Sequence, residues 1–70
     1  MESNKVEYMQ WIPRGKRYPS AYKEVLASLV RRDGKEKVKV VYTDIYGSWH
    51  RVGEAWKVVA WMPLPEPFEK

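Results

Sequence analysis

Val25-Leu26-Ala27-Ser28-Leu29-Val30-Arg31-Arg32-Asp33-Gly34-Lys35-Glu36-Lys37-Val38-Lys39-Val40-Val41-Tyr42 decides the fold. Asp33-Gly34 is a strong signal for a two-residue hairpin turn, because both residues tolerate the left-handed backbone such a turn requires. With those two at the centre, Leu29 faces Val38, Ala27 faces Val40 and Val25 faces Tyr42 on one side. The other side pairs Val30 with Lys37, Ser28 with Lys39 and Leu26 with Val41. A one-residue slip would break that match. Arg31 meets Glu36 at the tip, a cross-strand pair of opposite charge. The competing reading is a helix over residues 21–32. Ser20 would cap it, Tyr22, Val25, Leu26 and Leu29 would share one face, and Gly34 would close it. One turn accounts for both flanking runs, so a hairpin is expected; a helix there would make the fold α+β.

Outward from the hairpin, residues 37–46 are β-branched and aromatic and read as the most secure strand. Tyr46-Gly47-Ser48 turns the chain, Trp49-His50-Arg51-Val52 is a short strand, and Gly53-Glu54 is another turn. Residues 55–62 form the last strand. In it Trp56, Val58, Ala60 and Met62 share one face, and Ala55, Lys57, Val59 and Trp61 share the other. Upstream, residues 6–12 alternate weakly and read as a first strand stopped by Pro13. Residues 13–19 are a basic loop bounded by Pro13 and Pro19. Three domains of behaviour follow: a loose start at 1–5, a β-rich body at 6–62, and a proline-rich tail at 63–70. The expected class is mainly β, a small antiparallel sheet or meander, curled or barrel-like to cover ten aromatic side chains.

Seventy residues make one small domain, for which a single core supplies only about 3–5 kcal/mol. There is no cysteine and one histidine, His50, so neither a disulfide nor a thiolate or histidine metal site is expected. Aromatic burial is the expected compensation, with Trp11, Trp56 and Trp61, the prolines Pro13, Pro19, Pro63 and Pro65, and Gly34 in structural roles. No apolar run approaches the roughly 18–20 residues of a membrane span. The reading is a cytoplasmic protein with no cofactor and no membrane partner.

The charge is uneven. Nine basic residues stand against three acidic ones between Arg14 and Lys39, so that stretch carries +6 while the remainder carries −2. Arg14, Lys16, Arg17, Tyr18, Lys23, Arg31, Arg32, Lys35, Lys37 and Lys39 are therefore the candidate binding residues, with Tyr18 and Tyr22 as stacking groups. Basic residues at turns and strand edges also keep a small sheet soluble, whatever it binds. Ser48, His50 and Asp44 supply the residue types of a nucleophilic site. Strand alternation puts Ser48 and His50 on one face, and no oxyanion loop follows, so they read as a turn serine and a strand-end histidine. Gly15-Lys16 lacks the first glycine and the Ser/Thr of a phosphate loop. No catalytic or metal residues are assigned.

Two blocks of the chain resemble a known family. Trp11-Ile12-Pro13, then Arg17-Tyr18-Pro19 and Glu24-Val25-Leu26, resembles a W-I-P opening followed by a V-L strand. Val58-Val59-Ala60-Trp61-Met62-Pro63-Leu64-Pro65-Glu66-Pro67 resembles a W-M-P-L-P-E-P ending. Together they look like the small phage and prophage family catalogued as domain of unknown function 551, over residues 9–67. Tyr18 and Ala60 depart from it, standing where the family has Leu and often His. The resemblance implies a compact β-rich accessory protein in the cytoplasm of a bacterial host, and brings no catalytic residues. The expectation is a non-enzymatic binding module acting on a host protein. The alternative is nucleic-acid or nucleotide binding through residues 14–39. Exposed strand edges make a homodimer a further expectation. The tail reads either as a polyproline ligand or as a cap folded onto Trp11 or Trp61 with Phe68.

Overall fold

The computed structural model describes residues 10–65 and 67 of the chain. Among them are five strands and no helix: β1 (Ile12–Pro13), β2 (Val25–Arg31), β3 (Glu36–Thr43), β4 (Trp49–His50) and β5 (Trp56–Pro63). They form one antiparallel sheet in the order β1-β5-β2-β3-β4. The end strands β1 and β4 do not pair, so the sheet is open, and the barrel-like expectation is corrected. Residues 25–31 are strand, which removes the helical alternative.

The hairpin forms, with its register shifted by one from the expected pairing. Gly34 N–H donates to the Arg31 carbonyl at 2.8 Å, and Arg31 N–H donates to the Lys35 carbonyl at 2.8 Å. The loop is thus three residues long, a type I turn closed by Gly34 at φ +93° as a one-residue bulge. Asp33 favours this turn over the two-residue one. Its carboxylate accepts the Lys35 amide at 3.1 Å and both Arg31 guanidinium contacts, at 3.1 and 2.7 Å. Arg31 therefore pairs with Asp33 in place of Glu36. Val25 now faces Val41, Ala27 faces Lys39 and Leu29 faces Lys37.

A second irregularity corrects the last strand. Against β2, Ser28 pairs with Ala60 and Leu29 with Val58, leaving Val59 as an extra residue. The bulge changes which residues share a face. Trp56 and Val58 lie on the same side as Trp61, while Ala60 and Met62 lie on the other. The core cluster is Val25, Ala27, Leu29, Val41, Val58 and Trp61, with Ile12, Trp49, Val52 and Trp56 packed around it. Ala27, Leu29 and Val41 are fully buried. Burying a side chain the size of Leu29 contributes about 1.5–3 kcal/mol. The loop after β1 lies across Trp61, whose indole N–H donates to the Arg17 carbonyl at 3.0 Å. Pro19 is buried beside it.

Several boundaries move. Pro13 and Pro63 are strand residues, opposite Ala60 and Val25; Pro13 sits on an edge strand and Pro63 at a strand end, where a missing donor is tolerated. Pro13 is thus the last residue of the first strand and Pro63 the last of the final one, so the tail begins one residue later than expected. Of that expected first strand, residues 6–9 lie outside the described residues, as does the loose start at 1–5. β3 ends at Thr43 because Asp44 folds the next residues into a turn, and β4 ends at His50. Leu64, Pro65 and Pro67 are exposed. Phe68, which with Trp61 strengthened the cap reading, lies outside the described residues. The aromatic cover is partial: Tyr46 is 85% exposed, and Trp11, Tyr18 and Tyr22 are also exposed. No helix among the described residues is long and apolar enough to cross a membrane.

Candidate functional site

The shifted register builds a basic comb. Lys35, Lys37 and Lys39 share parity with Leu29 and Ala27, so they project from the core side of the sheet. Lys37 and Lys39 sit on β3 and Lys35 in the turn just before it, and all three are exposed. Strand geometry spaces alternate side chains by about 6.8 Å. The floor of this face is Trp56, opposite Arg31 on β5. Lys37 Nζ lies 4.3 Å from the Trp56 ring centre, and the Arg31 guanidinium lies 5.3 Å from it. A ring face holds a cation in place without cancelling its charge. The lysine stem also covers the ring, which is why a lysine opposite Leu29 costs the core little.

Around this face the cations differ. Arg31 is partly neutralised by Asp33. The hydrogen bond from Arg31 holds the Asp33 carboxyl below its ordinary range, helped by the Lys35 amide, and Asp33 in turn raises the guanidinium. Lys35, Lys37 and Lys39 make no ion pair among the described residues. Arg32 and Lys57 line a shallow cleft with Val30, Glu54 and Ala55 on the outer side of the hairpin. Arg14 joins Trp49, Trp56 and Lys57 in a neighbouring cleft. The remaining sequence candidates lie elsewhere. Arg17, Tyr18 and Lys23 line a separate cleft against Trp61 and Pro63, with the Arg17 guanidinium 5.8 Å from the Trp61 ring. Lys16 is on the exposed β1–β2 turn, its amide donating to the Pro13 carbonyl at 3.0 Å. The basic stretch thus divides into a hairpin face and a loop face.

A second cluster surrounds Tyr42. His50 stacks on it at 4.9 Å with ring planes 2° apart, Tyr22 lies 6.0 Å away, and the Arg51 guanidinium lies 5.2 Å over the ring. Arg51 also bonds Glu24 at 2.8 Å. Tyr22 (φ 64°) and Arg51 (φ 71°) are the only non-glycine residues in the left-handed region among those described, a conformation that costs such residues about 1–2 kcal/mol. Both flank Tyr42. The Tyr22 amide is held by the Thr43 carbonyl at 2.6 Å. Asp44 ties the next turn, accepting the amides of Tyr46 (2.9 Å) and Ser48 (3.0 Å) on Oδ1 and meeting His50 Nε2 at 2.8 Å on Oδ2. The His50 contact, then the Ser48 amide, keep the Asp44 carboxyl below its ordinary range. Ser48 touches Asp44 through its backbone, so the three residues form a turn lock.

Sequence reasoning missed Lys57, the role of Trp56 as a floor for cations, and the whole Tyr42 cluster. Comparison with protein-family models, curated proteins and solved structures finds no match to this chain.

Proposed function

We propose that this chain is a non-catalytic binding module that takes an acidic protein surface on the hairpin face of Lys35, Lys37 and Lys39, with Trp56 as its floor. One observation carries the reading. Lys37 Nζ lies 4.3 Å from the Trp56 ring centre, an attraction that favours this placement and leaves the charge available to a partner. The resemblance of the opening and ending segments supports a phage or prophage accessory protein as the setting, with a host protein as the partner.

Nucleic acid is the second reading, favoured by the exposed Tyr22 and Tyr46, which offer stacking faces of the kind single strands use. One experiment separates them. The purified domain is titrated with poly-glutamate and with an oligothymidylate across a salt series. The acidic polypeptide is expected to bind and to lose at least tenfold in affinity in the Lys37→Glu/Lys39→Glu variant. If that double charge reversal leaves its affinity unchanged, the hairpin face is not the site. If only the oligothymidylate binds, with affinity falling log-linearly in salt, the nucleic-acid reading replaces the first.

A further inference from the structure

β3 is eight residues long, but β4 pairs only with Tyr42 and Thr43. The bond phase shows what the rest of that edge offers. The Asp44 amide donates to Ser48 toward β4, and the Arg31 amide donates to Lys35 across the β2–β3 ladder. Antiparallel alternation then points the N–H and C=O groups of Lys37 and Lys39 at β2. Those of Glu36, Val38 and Val40 point away from it. No described strand lies on that side. Val38 is 55% exposed, its side chain on the face opposite the lysines.

Arg51 holds this edge open. An extended Arg51-Val52 would continue β4 and fall opposite Val41 and Val40 in the register of Tyr42 with His50. Instead Arg51 is left-handed and turns the chain away directly after β4, held there by Glu24 at 2.8 Å and by the Tyr42 ring. Strained non-glycine backbone maintained by its surroundings is a mark of functional sites.

We propose that the acidic partner binds as an added strand: an extended segment with acidic residues at alternate positions pairs with the free edge of β3. Its backbone bonds Glu36, Val38 and Val40. In antiparallel addition Lys37 and Lys39 fall in the non-hydrogen-bonded pairs, where facing side chains approach most closely. The period of two matches the lysine comb to alternate acidic residues without any bend, and the intervening apolar residues meet Val38 and Val40. A second copy of this chain fits the edge poorly, because self-pairing about Val38 sets Lys37 against Lys39 of the copy. A nucleic acid has no amide pattern to match the edge. This inference rests on the hairpin face being the binding face.

The probe is a capped heptapeptide alternating Glu and Val, added to the isotopically labelled domain. The Val38 and Val40 amides are expected to slow in hydrogen exchange at least tenfold on saturation. Val38→Pro is expected to weaken the peptide by about tenfold, since one edge bond of about 1.4 kcal/mol is lost. The Val38 N–H points away from β2, so proline there removes no bond within the sheet; far-UV circular dichroism checks that the variant folds. Salt-sensitive binding without slowed amides, and with Val38→Pro binding as tightly, refutes strand addition while leaving the lysine face intact. Absence of any binding refutes both. Slowing of those two amides with rising protein concentration, without peptide, replaces the partner with a second copy of the chain.

Discussion

Deleting Val59 from the middle of β5 is expected to leave the fold intact. A deletion within a strand ordinarily moves every later side chain to the wrong face. Here Val59 is the bulged residue, and removing it joins Val58, opposite Leu29, directly to Ala60, opposite Ser28. Trp61 stays on the core side, opposite Ala27. The losses are small. The Arg14 amide loses its 3.0 Å bond to the Val59 carbonyl, about 1 kcal/mol. The Val59 side chain is 52% exposed and gives up little burial. One residue fewer to order returns about 1–2 kcal/mol of backbone entropy. The net change is within about 1 kcal/mol, or a shift in Tm of at most about 4–8 °C for a domain of this size. Inserting an alanine between Ala60 and Trp61 is the counter-experiment. It turns Trp61 outward unless the bulge widens. Exposing its roughly 150–250 Å² at about 25 cal/mol per Å² costs about 4–6 kcal/mol. That equals the whole stability expected of such a domain. Thermal melts followed by tryptophan fluorescence read both variants, and the Trp61 indole N–H, bonded to Arg17, reports the local packing by its exchange rate. A deletion variant that fails to fold would overturn the bulge assignment; an insertion variant that melts like the parent with the Trp61 indole N–H still protected would show that the bulge widens to absorb it.

Two further predictions concern the two ends of β3. Thr43 Oγ1 and Trp49 Nε1 are buried without a hydrogen-bond partner among the described residues, on directly opposed positions. Replacing Thr43 with Val removes one of these and is expected to raise stability by about 1 kcal/mol in urea denaturation; a lower midpoint would show that the hydroxyl is satisfied. Asp33 and Asp44 are both held below the ordinary carboxylate value of about 4. Groups lowered on folding contribute stability above that value, lost as pH falls below it toward their folded values. The acid limb should therefore begin below about pH 4. Asp44→Asn should shallow it, and an unchanged acid profile would contradict the His50 and Ser48 contacts as its cause.

Much of the sheet was legible in the residues, and the errors have local physical causes. Asp33-Gly34 marked the hairpin, but the pair serves a two-residue turn and a type I turn with a bulge equally well. What decides between them is the bonding of Asp33 to Arg31 and Lys35. Hydrophobic matching favoured Leu29 against Val38, whereas Leu29 faces Lys37 because the lysine stem has Trp56 to lie on. A strict period of two across residues 55–62 could not anticipate an extra residue at Val59. Of the predicted binding residues, those on the hairpin were grouped by the strand itself. Arg17 and Lys23 were separated from them because the loop that carries them crosses to Trp61. The Tyr42 cluster draws on three segments, and its left-handed Tyr22 and Arg51 are not residue types that announce that conformation.

The strand order carries a consequence for how the molecule is made. β2 lies at the centre of the sheet, and one of its two neighbours, β5, is the last of the described strands. During synthesis β2, β3 and β4 emerge before β5, and the hairpin is able to close from local contacts alone. Ala27 and Leu29 then wait for Trp61 and Val58, more than two dozen residues later, before their core side is covered. β1 waits too, although it precedes them, because its partner among the described strands is β5. The core side of β2 is therefore covered only when the chain through residue 63 is available to pair with it.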